Sequence, residues 1–196
     1  MLINGRCHCE NISFTLVWEP DPLEIPARAC ACSFCAKHGA IWTSCASGSL
    51  KVSVKEPALV TRYAFGTKTA QFHVCARCCI VPVVTSLIEG RLYAGVNVNT
   101  FEGIDSSLLR RSLSSFEGES REARLARRKR SWIANVELAE DLAPGAGTDA
   151  PIPHEEIGKV IQDRMTIVQA WHEYPGLKQG DVAQCLGITQ RAYSKS

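Results

Sequence analysis

The sequence lacks any long apolar run. No stretch of its 196 residues approaches the roughly 18 consecutive apolar residues that a membrane-spanning helix needs. The opening segment, MLINGRCHCENISF, has no apolar core followed by a small-residue cleavage site, so no secretory signal is expected. Basic and acidic residues are nearly balanced, 22 against 20. The net charge therefore does not indicate binding to nucleic acid or to a membrane. We therefore expect a cytoplasmic protein with one ordinary domain and an extra module.

Cysteine, in contrast, is abundant, with ten residues in the chain. A secreted disulfide framework would normally come with a signal peptide and a much smaller scaffold. Seven of the ten fall into three clusters, "CHC", "CACSFC" and "CARC". Such clusters indicate metal ligands or catalytic groups rather than disulfides.

Three stretches in the first hundred residues alternate between apolar and polar side chains, the period of a half-buried strand. The alternating residues are Ile12, Phe14, Leu16 and Trp18, then Leu50, Val52 and Val54, then Leu59, Thr61, Tyr63 and Phe65. "IVPVV" and "RLYAGVNVN" predict two more strands, the first at a sheet edge because of Pro82. Short strands separated by Gly- and Pro-containing turns predict a mainly β domain over residues 1–139.

The segment "ESREARLARRKR", residues 119–130, is strongly basic and compatible with a helix. We interpret it as a solvated surface segment, and an anion or nucleic-acid contact is the alternative.

A Pro/Gly/Ala-rich linker is predicted over residues 140–153, and the chain changes character after it. Residues 154–196 space their apolar side chains at helical intervals, which predicts a small α-helical tail. Its end, "LKQGDVAQCLGITQRAYSKS", resembles the helix-turn-helix of repressor-type transcription factors, with Gly187 at the turn. The match stops inside the second helix, so nucleic-acid binding is not expected. Docking on the β domain, or on a second copy in a homo-oligomer, stays open.

Two of the cysteine clusters together supply four thiolates, the number that a structural zinc ion takes. The two residues between the cysteines of "CARC" let both sulfurs reach one ion, and alternate side chains of an extended "CHC" point to one face. The predicted closed set is Cys7, Cys9, Cys75 and Cys78. It would tie the first strand to a distant one, and metal binding would add to folding stability.

The remaining cluster has three thiols, Cys30, Cys32 and Cys35. Three protein ligands with an open position are typical of catalytic zinc. The alternative is a second structural zinc with a fourth ligand from His8, His38, His73, Cys45 or Cys79. Three thiolates weaken zinc as a Lewis acid, so an open site suits the presentation of a thiol substrate to an electrophile better than hydrolysis.

The clusters and their neighbours resemble the glutathione-dependent formaldehyde-activating family, whose members also resemble centromere protein V. The matching stretches are "GRCHCENISF", "CACSFCAKHGA", "YAFGTKTAQFHVCARC" and "YAGVNVNTFEGID", within residues 4–105. The resemblance implies a β-rich zinc-binding fold called a β-tent, with two zinc ions on the two cysteine sets. It also implies carbon–sulfur lyase chemistry, in which glutathione and formaldehyde join into S-hydroxymethylglutathione with the glutathione sulfur at the open position of the second zinc.

The chain departs from that family at two positions. Glu10 follows "CHC" and Cys79 follows "CARC", where the family usually has glycine. Glycine eases the left-handed turn of a zinc knuckle, so slight strain is expected at the four-cysteine site. Cys79 is also a competing ligand.

Two further hypotheses stay open beside the lyase. One is a zinc-stabilised binding module without turnover, and the other is a regulator linked to DNA through the tail. Glutathione would need cationic or amide partners near the second zinc, and none is singled out among the conceivable ones, Lys37, His38, Arg62, Lys68, Arg77 and Asn97.

Overall fold

The computed structural model describes residues 1–139 and Leu142. The chain divides into two units, Met1–Ala146 and Gly147–Ser196. Apart from Leu142, the predicted linker (140–153) and the predicted helical tail (154–196) lie outside the described residues. The elements below all belong to the first unit.

The described chain is mainly β, as the sequence predicts. Its strands are β1 (Leu2–Arg6), β2 (Ile12–Val17), β3 (Ile25–Cys30), β4 (Ile41–Thr43), β5 (Ser49–Val54), β6 (Val60–Tyr63), β7 (Gln71–Cys75), β8 (Val83–Ile88), β9 (Arg91–Asn97), β10 (Phe101–Glu102), β11 (Leu109–Ser114) and β12 (Asn135–Leu138). Two α-helices, α1 (Ser33–His38) and α2 (Arg121–Ser131), and three short 3-10 helices, Pro57–Leu59, Val98–Thr100 and Ser106–Leu108, complete the described elements. None of these helices is long and apolar enough to cross a bilayer.

The strands form two sheets. The first has the order β10-β1-β2-β5-β12, and the second has the order β11-β3-β4-β9-β8-β7-β6. Neighbours are antiparallel except for two late strands: β12 runs parallel to β5, and β11 runs parallel to β3. Side chains of both sheets meet in one core, which includes Ile3, Phe14, Leu16, Leu50, Ile25, Val83 and Val96.

Three predicted strands are confirmed, two of them with the predicted inward face. In β2, Ile12, Phe14 and Leu16 are buried, and in β5 Leu50 and Val52 are buried. β9 coincides with the start of "RLYAGVNVN". The period-2 pattern succeeds for β2 and β5 because each has one face on the core, whereas β9 is buried on both faces from Tyr93 to Asn97.

Two of the predicted strands differ from the prediction. Leu59 ends a 3-10 helix instead of starting a strand, and Tyr63 on β6 is 44% exposed. β8 lies inside its sheet, between β9 and β7, and not at an edge. Pro82 precedes the first residue of β8, so its missing N–H leaves the ladder of that strand intact.

The basic segment is helical, and the structure anchors it at both ends. The side chain of Ser120 caps α2 by accepting a hydrogen bond from the N–H of Ala123, 3.1 Å away. After the helix, Ile133 exchanges two backbone hydrogen bonds with Ala94 on β9, at 2.9 and 3.0 Å. This bridge holds α2 beside the seven-stranded sheet.

Candidate functional site

The structure brings Cys7, Cys9, Cys75 and Cys78 together, with all four sulfur atoms within 4.8 Å of one another. The Cys7 and Cys9 sulfurs are 3.8 Å apart, and those of Cys9 and Cys75 are 3.4 Å apart. Cys7 follows a strand of the first sheet, whereas Cys75 ends a strand of the second. The four-cysteine group, which could hold a metal ion, therefore joins the two sheets.

Backbone N–H groups point at these sulfurs. The N–H of Ile12 donates to Cys7 Sγ at 3.3 Å, while burial raises the pKa of that thiol to about 12. Burial also raises the pKa of Cys78, but hydrogen bonds from the backbone of Cys9 and Ile80 outweigh it, and the net pKa falls to about 6. Amide donors of this kind favour the thiolate, the form that binds metal.

The two halves of this group have the same backbone design. In each, one residue after the second cysteine adopts a left-handed conformation: Glu10 has φ of 62° and Cys79 has φ of 59°. At both positions, the family that this chain resembles usually has glycine. The expected backbone strain is thus present at Glu10 and at Cys79. The Cys79 side chain is exposed and does not belong to the group of four.

Cys30, Cys32 and Cys35 form the second group, again with sulfurs within 4.8 Å of one another. Cys30 ends β3, Cys32 caps α1 by accepting from the Cys35 N–H at 3.5 Å, and Cys35 lies on the helix. The indole N–H of Trp42 donates to Cys35 Sγ at 3.2 Å. This group could also hold a metal ion.

No fourth ligand joins this second group within residues 1–139. Of the five candidates, His73 is buried and its Nε2 is 2.8 Å from Thr85 Oγ1. Cys45 donates to the carbonyl of Glu19 at 3.6 Å, and the His38 ring lies against Phe34. His8 and Cys79 are likewise outside both groups.

The thiols of Cys30 and Cys35 shift each other's pKa in opposite directions. A hydrogen bond from the Cys35 thiol lowers the pKa of Cys30 to about 5, against the opposing effect of burial. The same hydrogen bond, together with burial, raises the pKa of Cys35 above its ordinary value. The charge of Arg124 adds to the lowering of the Cys30 pKa. The cluster is therefore disposed to carry negative charge, as a cation site requires.

The three-cysteine group lines a cavity of about 490 Å³. One wall is aromatic, with Trp42, Phe65 and Phe72, and the rings of Phe65 and Phe72 stack at 5.5 Å. Another wall is formed in part by α2 and β3 and carries four guanidinium groups, from Arg28, Arg124, Arg127 and Arg128. The four-cysteine group does not line this cavity.

The wall of arginines was not predicted. Arg28 precedes the cysteine cluster on β3, and the other three belong to the segment that we interpreted as solvated surface. Arg128 is in fact only 6% exposed. The spacing Arg124, Arg127, Arg128 places three cations on one helical face, and this i, i+3, i+4 pattern was the signal in the sequence.

None of the six conceivable substrate contacts named from the sequence lines the cavity. Arg77 instead pairs with Glu56 at 3.0 Å on the surface. Asn97 is buried, where it donates to the carbonyl of Val81 at 3.1 Å and accepts from the N–H of Ile41 at 3.3 Å. These two residues have structural partners.

No protein-family model and no curated protein matches this chain. Among solved structures, the chain is similar to a Rhodobacter sphaeroides protein from a structural genomics programme, with 31% identity. The alignment covers 53% of this chain and 92% of that one, with a TM-score of 0.43. The similarity brings no activity, ligand or family name to this chain.

Proposed function

We propose that this protein is a zinc-dependent carbon–sulfur lyase that joins a small thiol, such as glutathione, to a small aldehyde, such as formaldehyde. One observation carries the proposal: a three-cysteine group without a fourth ligand among residues 1–139 opens into a cavity, while a four-cysteine group lies outside it. One closed and one open set are what a structural and a catalytic zinc require.

The donor sets fit zinc. Sulfur ligands about 2.3 Å from a tetrahedral zinc stand about 3.8 Å from one another. In the four-cysteine group, the Cys7 and Cys9 sulfurs are 3.8 Å apart and the Cys9 and Cys75 sulfurs are 3.4 Å apart, which is close to that value and far from the length of a disulfide bond. All nine described cysteines are free. Thiolate-only sets favour zinc over the hard cations magnesium and calcium, which take oxygen ligands.

The proposed reaction is an addition without a change in oxidation state. A carbon–sulfur bond forms between the thiol sulfur and the aldehyde carbon, and the carbonyl π bond breaks. The proton lost by the thiol is balanced by the one that the new hydroxyl gains. A zinc ion at the open site would supply the positive charge that lowers the pKa of an incoming thiol.

The residues around the site hold its ligands in place. Cys30, Cys32 and Cys35 would bind the ion, and the Trp42 N–H fixes the orientation of the Cys35 sulfur. The positive charge of Arg124 stabilises the Cys30 thiolate. Trp42, Phe65 and Phe72 line the same cavity as these cysteines and give it apolar surface.

The test is turnover by the full chain loaded with zinc. Carbon-13 exchange spectroscopy of glutathione and labelled formaldehyde measures formation of the hydroxymethyl adduct above the uncatalysed rate. Cys32→Ser should abolish the excess rate and remove one zinc per chain by metal analysis. Cys45→Ser is the matched control, because Cys45 is a buried thiol outside both groups.

Two results would count against the proposal. A protein that holds two zinc ions and shows no excess rate would be a binding module without turnover. A Cys32→Ser variant that loses no more activity than Cys45→Ser would show that the three-cysteine group is not the reaction site.

A further inference from the structure

The arginine wall of the cavity carries more positive charge than its neighbours neutralise. Glu119 is the acidic partner of two of these arginines, with Oε2 2.9 Å from Arg127 Nη2 and 3.8 Å from Arg124 Nε. Within the described part of the chain, no carboxylate forms an ion pair with Arg28 or Arg128. The acidic residue of the cavity lining, Glu117, is exposed.

Arg128 is a buried cation whose hydrogen bonds go to neutral groups, while the charge of Glu119 acts on it without a hydrogen bond. Its Nη1 donates to the carbonyl and the hydroxyl of Thr69, both at 2.8 Å, and to Ser86 Oγ at 3.2 Å. The guanidinium carbon lies 4.9 Å from the ring centre of Trp132. Its Nε is buried and has no hydrogen-bond partner among residues 1–139 and 142. Buried charges in proteins are normally paired, so this arrangement calls for an anion.

Arg28 is half-buried on β3, two positions before the first cysteine of the cluster. Its Nη2 donates a hydrogen bond to Ser44 Oγ at 3.0 Å, and this hydroxyl oxygen carries no charge. Ser44 Oγ in turn donates to the carbonyl of Ser131 at 2.7 Å, which fixes the hydroxyl. Among residues 1–139 and 142, no other hydrogen bond uses the guanidinium N–H groups of Arg28, which lines the cavity.

We infer that Arg28 and Arg128 form an anion subsite that selects thiol substrates carrying a carboxylate remote from the sulfur. Arg127 is excluded from the subsite because Glu119 pairs with it at two points, and Arg124 is excluded because its charge acts on Cys30. The aromatic wall of Trp42, Phe65 and Phe72 suits the apolar atoms between the two ends of such a molecule. The inference rests on the proposed function, because it assigns the thiol end of the ligand to the three-cysteine group.

The experiment compares matched ligands on the zinc-loaded full chain. Calorimetry measures the affinity of mercaptoalkanoic acids of increasing chain length and of their methyl esters, which lack the charge. The acid should bind at least about tenfold more tightly than its ester at one preferred chain length, since charge-assisted hydrogen bonds to guanidinium are the strong ones. That length reports the separation between the subsite and the metal site.

Substitutions of Arg28 test whether this residue produces the preference for the acid over its ester. Arg28→Gln should reduce the preference for the acid to about twofold or less, and Arg28→Lys should restore part of it, because lysine keeps the charge without the planar fork. Arg111→Gln is the control, since Arg111 is an exposed cation on β11 outside the cavity lining. Thermal unfolding and zinc content of each variant show that the fold is retained.

A thiol-free acid separates this inference from the proposed function. If thiols do not bind but an alkanoic acid binds in an Arg28-dependent way, the lyase proposal fails and the anion subsite stands. If thiols bind but acid and ester bind equally, or if Arg28→Gln keeps the preference, the subsite is overturned. Failure of both acids and thiols to bind overturns both.

Discussion

Gly5 on β1 lies directly opposite Phe14 on β2, and the aromatic ring covers the glycine. A Cβ at Gly5 would stand 2.2 Å from Cζ of the Phe14 ring. Gly5 is also in register with Phe101 on β10, and the two phenylalanine rings meet edge to face at 6.1 Å. The absence of a side chain at Gly5 thus makes room for an aromatic pair beside the first cysteines.

Gly5→Ala should destabilise the domain by about 1–3 kcal/mol, because Phe14 is buried and its ring must move. Urea unfolding of the zinc-loaded protein measures the change. Gly5→Ala combined with Phe14→Leu should recover part of the loss, and Asn4→Ala, at an exposed position of the same strand, is the control. Equal stability of Gly5→Ala and wild type would show that the ring is not confined.

Cys78→Ser and Cys35→Ser should have different effects on the free energy of unfolding. Cys78→Ser breaks the group that joins the two sheets, so the free energy of unfolding should fall by about 3 kcal/mol or more, in line with the large binding energy of structural zinc. Cys35→Ser should lower zinc content from two ions to one and change stability less. Metal analysis and thermal unfolding of both variants, side by side, test this, and identical melting curves would contradict the assignment.

Cys79→Gly should stabilise the protein by up to about 1 kcal/mol, because glycine adopts the left-handed conformation without the penalty of a side chain. The exposed Cys79 thiol makes no contribution that the substitution would remove from the group of four. Cys79→Ala keeps the penalty and should leave the unfolding temperature unchanged. A loss of zinc on Cys79→Gly would instead identify Cys79 as a ligand.

Deletion of residues 151–196 should leave zinc content unchanged, because all seven proposed ligands precede residue 80. The lyase rate should also be preserved if the cavity is made by the first unit alone. Zinc analysis and the exchange assay on the shortened chain measure both quantities. Loss of activity with zinc retained would assign the tail a part in the reaction.

The metal groups could be predicted because their cysteines recur at short spacings in the sequence. The spacings within "CHC", "CACSFC" and "CARC" let the sulfurs of one cluster share an ion, the pairing of "CHC" with "CARC" was inferred from the four ligands of a structural zinc, and the structure groups the same seven cysteines. Alternation predicted β2 and β5 for a similar reason, since burial on one face follows directly from the sequence period.

The cavity was not predictable in the same way. Arg28 and Arg128 are separated by a hundred positions, and long-range contacts, among them the parallel pairing of β11 with β3 and the bridge from Ile133 to Ala94, bring the helix to the cysteines. The i, i+3, i+4 spacing of Arg124, Arg127 and Arg128 marks one helical face, but it does not say whether that face is buried or solvated. Long-range pairing, rather than local propensity, therefore decides the role of α2.

The chain order of the two metal groups has a consequence for biosynthesis. All seven thiols have been translated once Cys78 is added, whereas β11, α2 and β12 come later. Since synthesis proceeds at about 5–20 residues per second, both sulfur sets are exposed for several seconds before the arginine wall exists. Metal loading can thus precede closure of the cavity on a nascent chain, when the sulfurs of Cys30, Cys32 and Cys35 are still accessible from the side that α2 later covers.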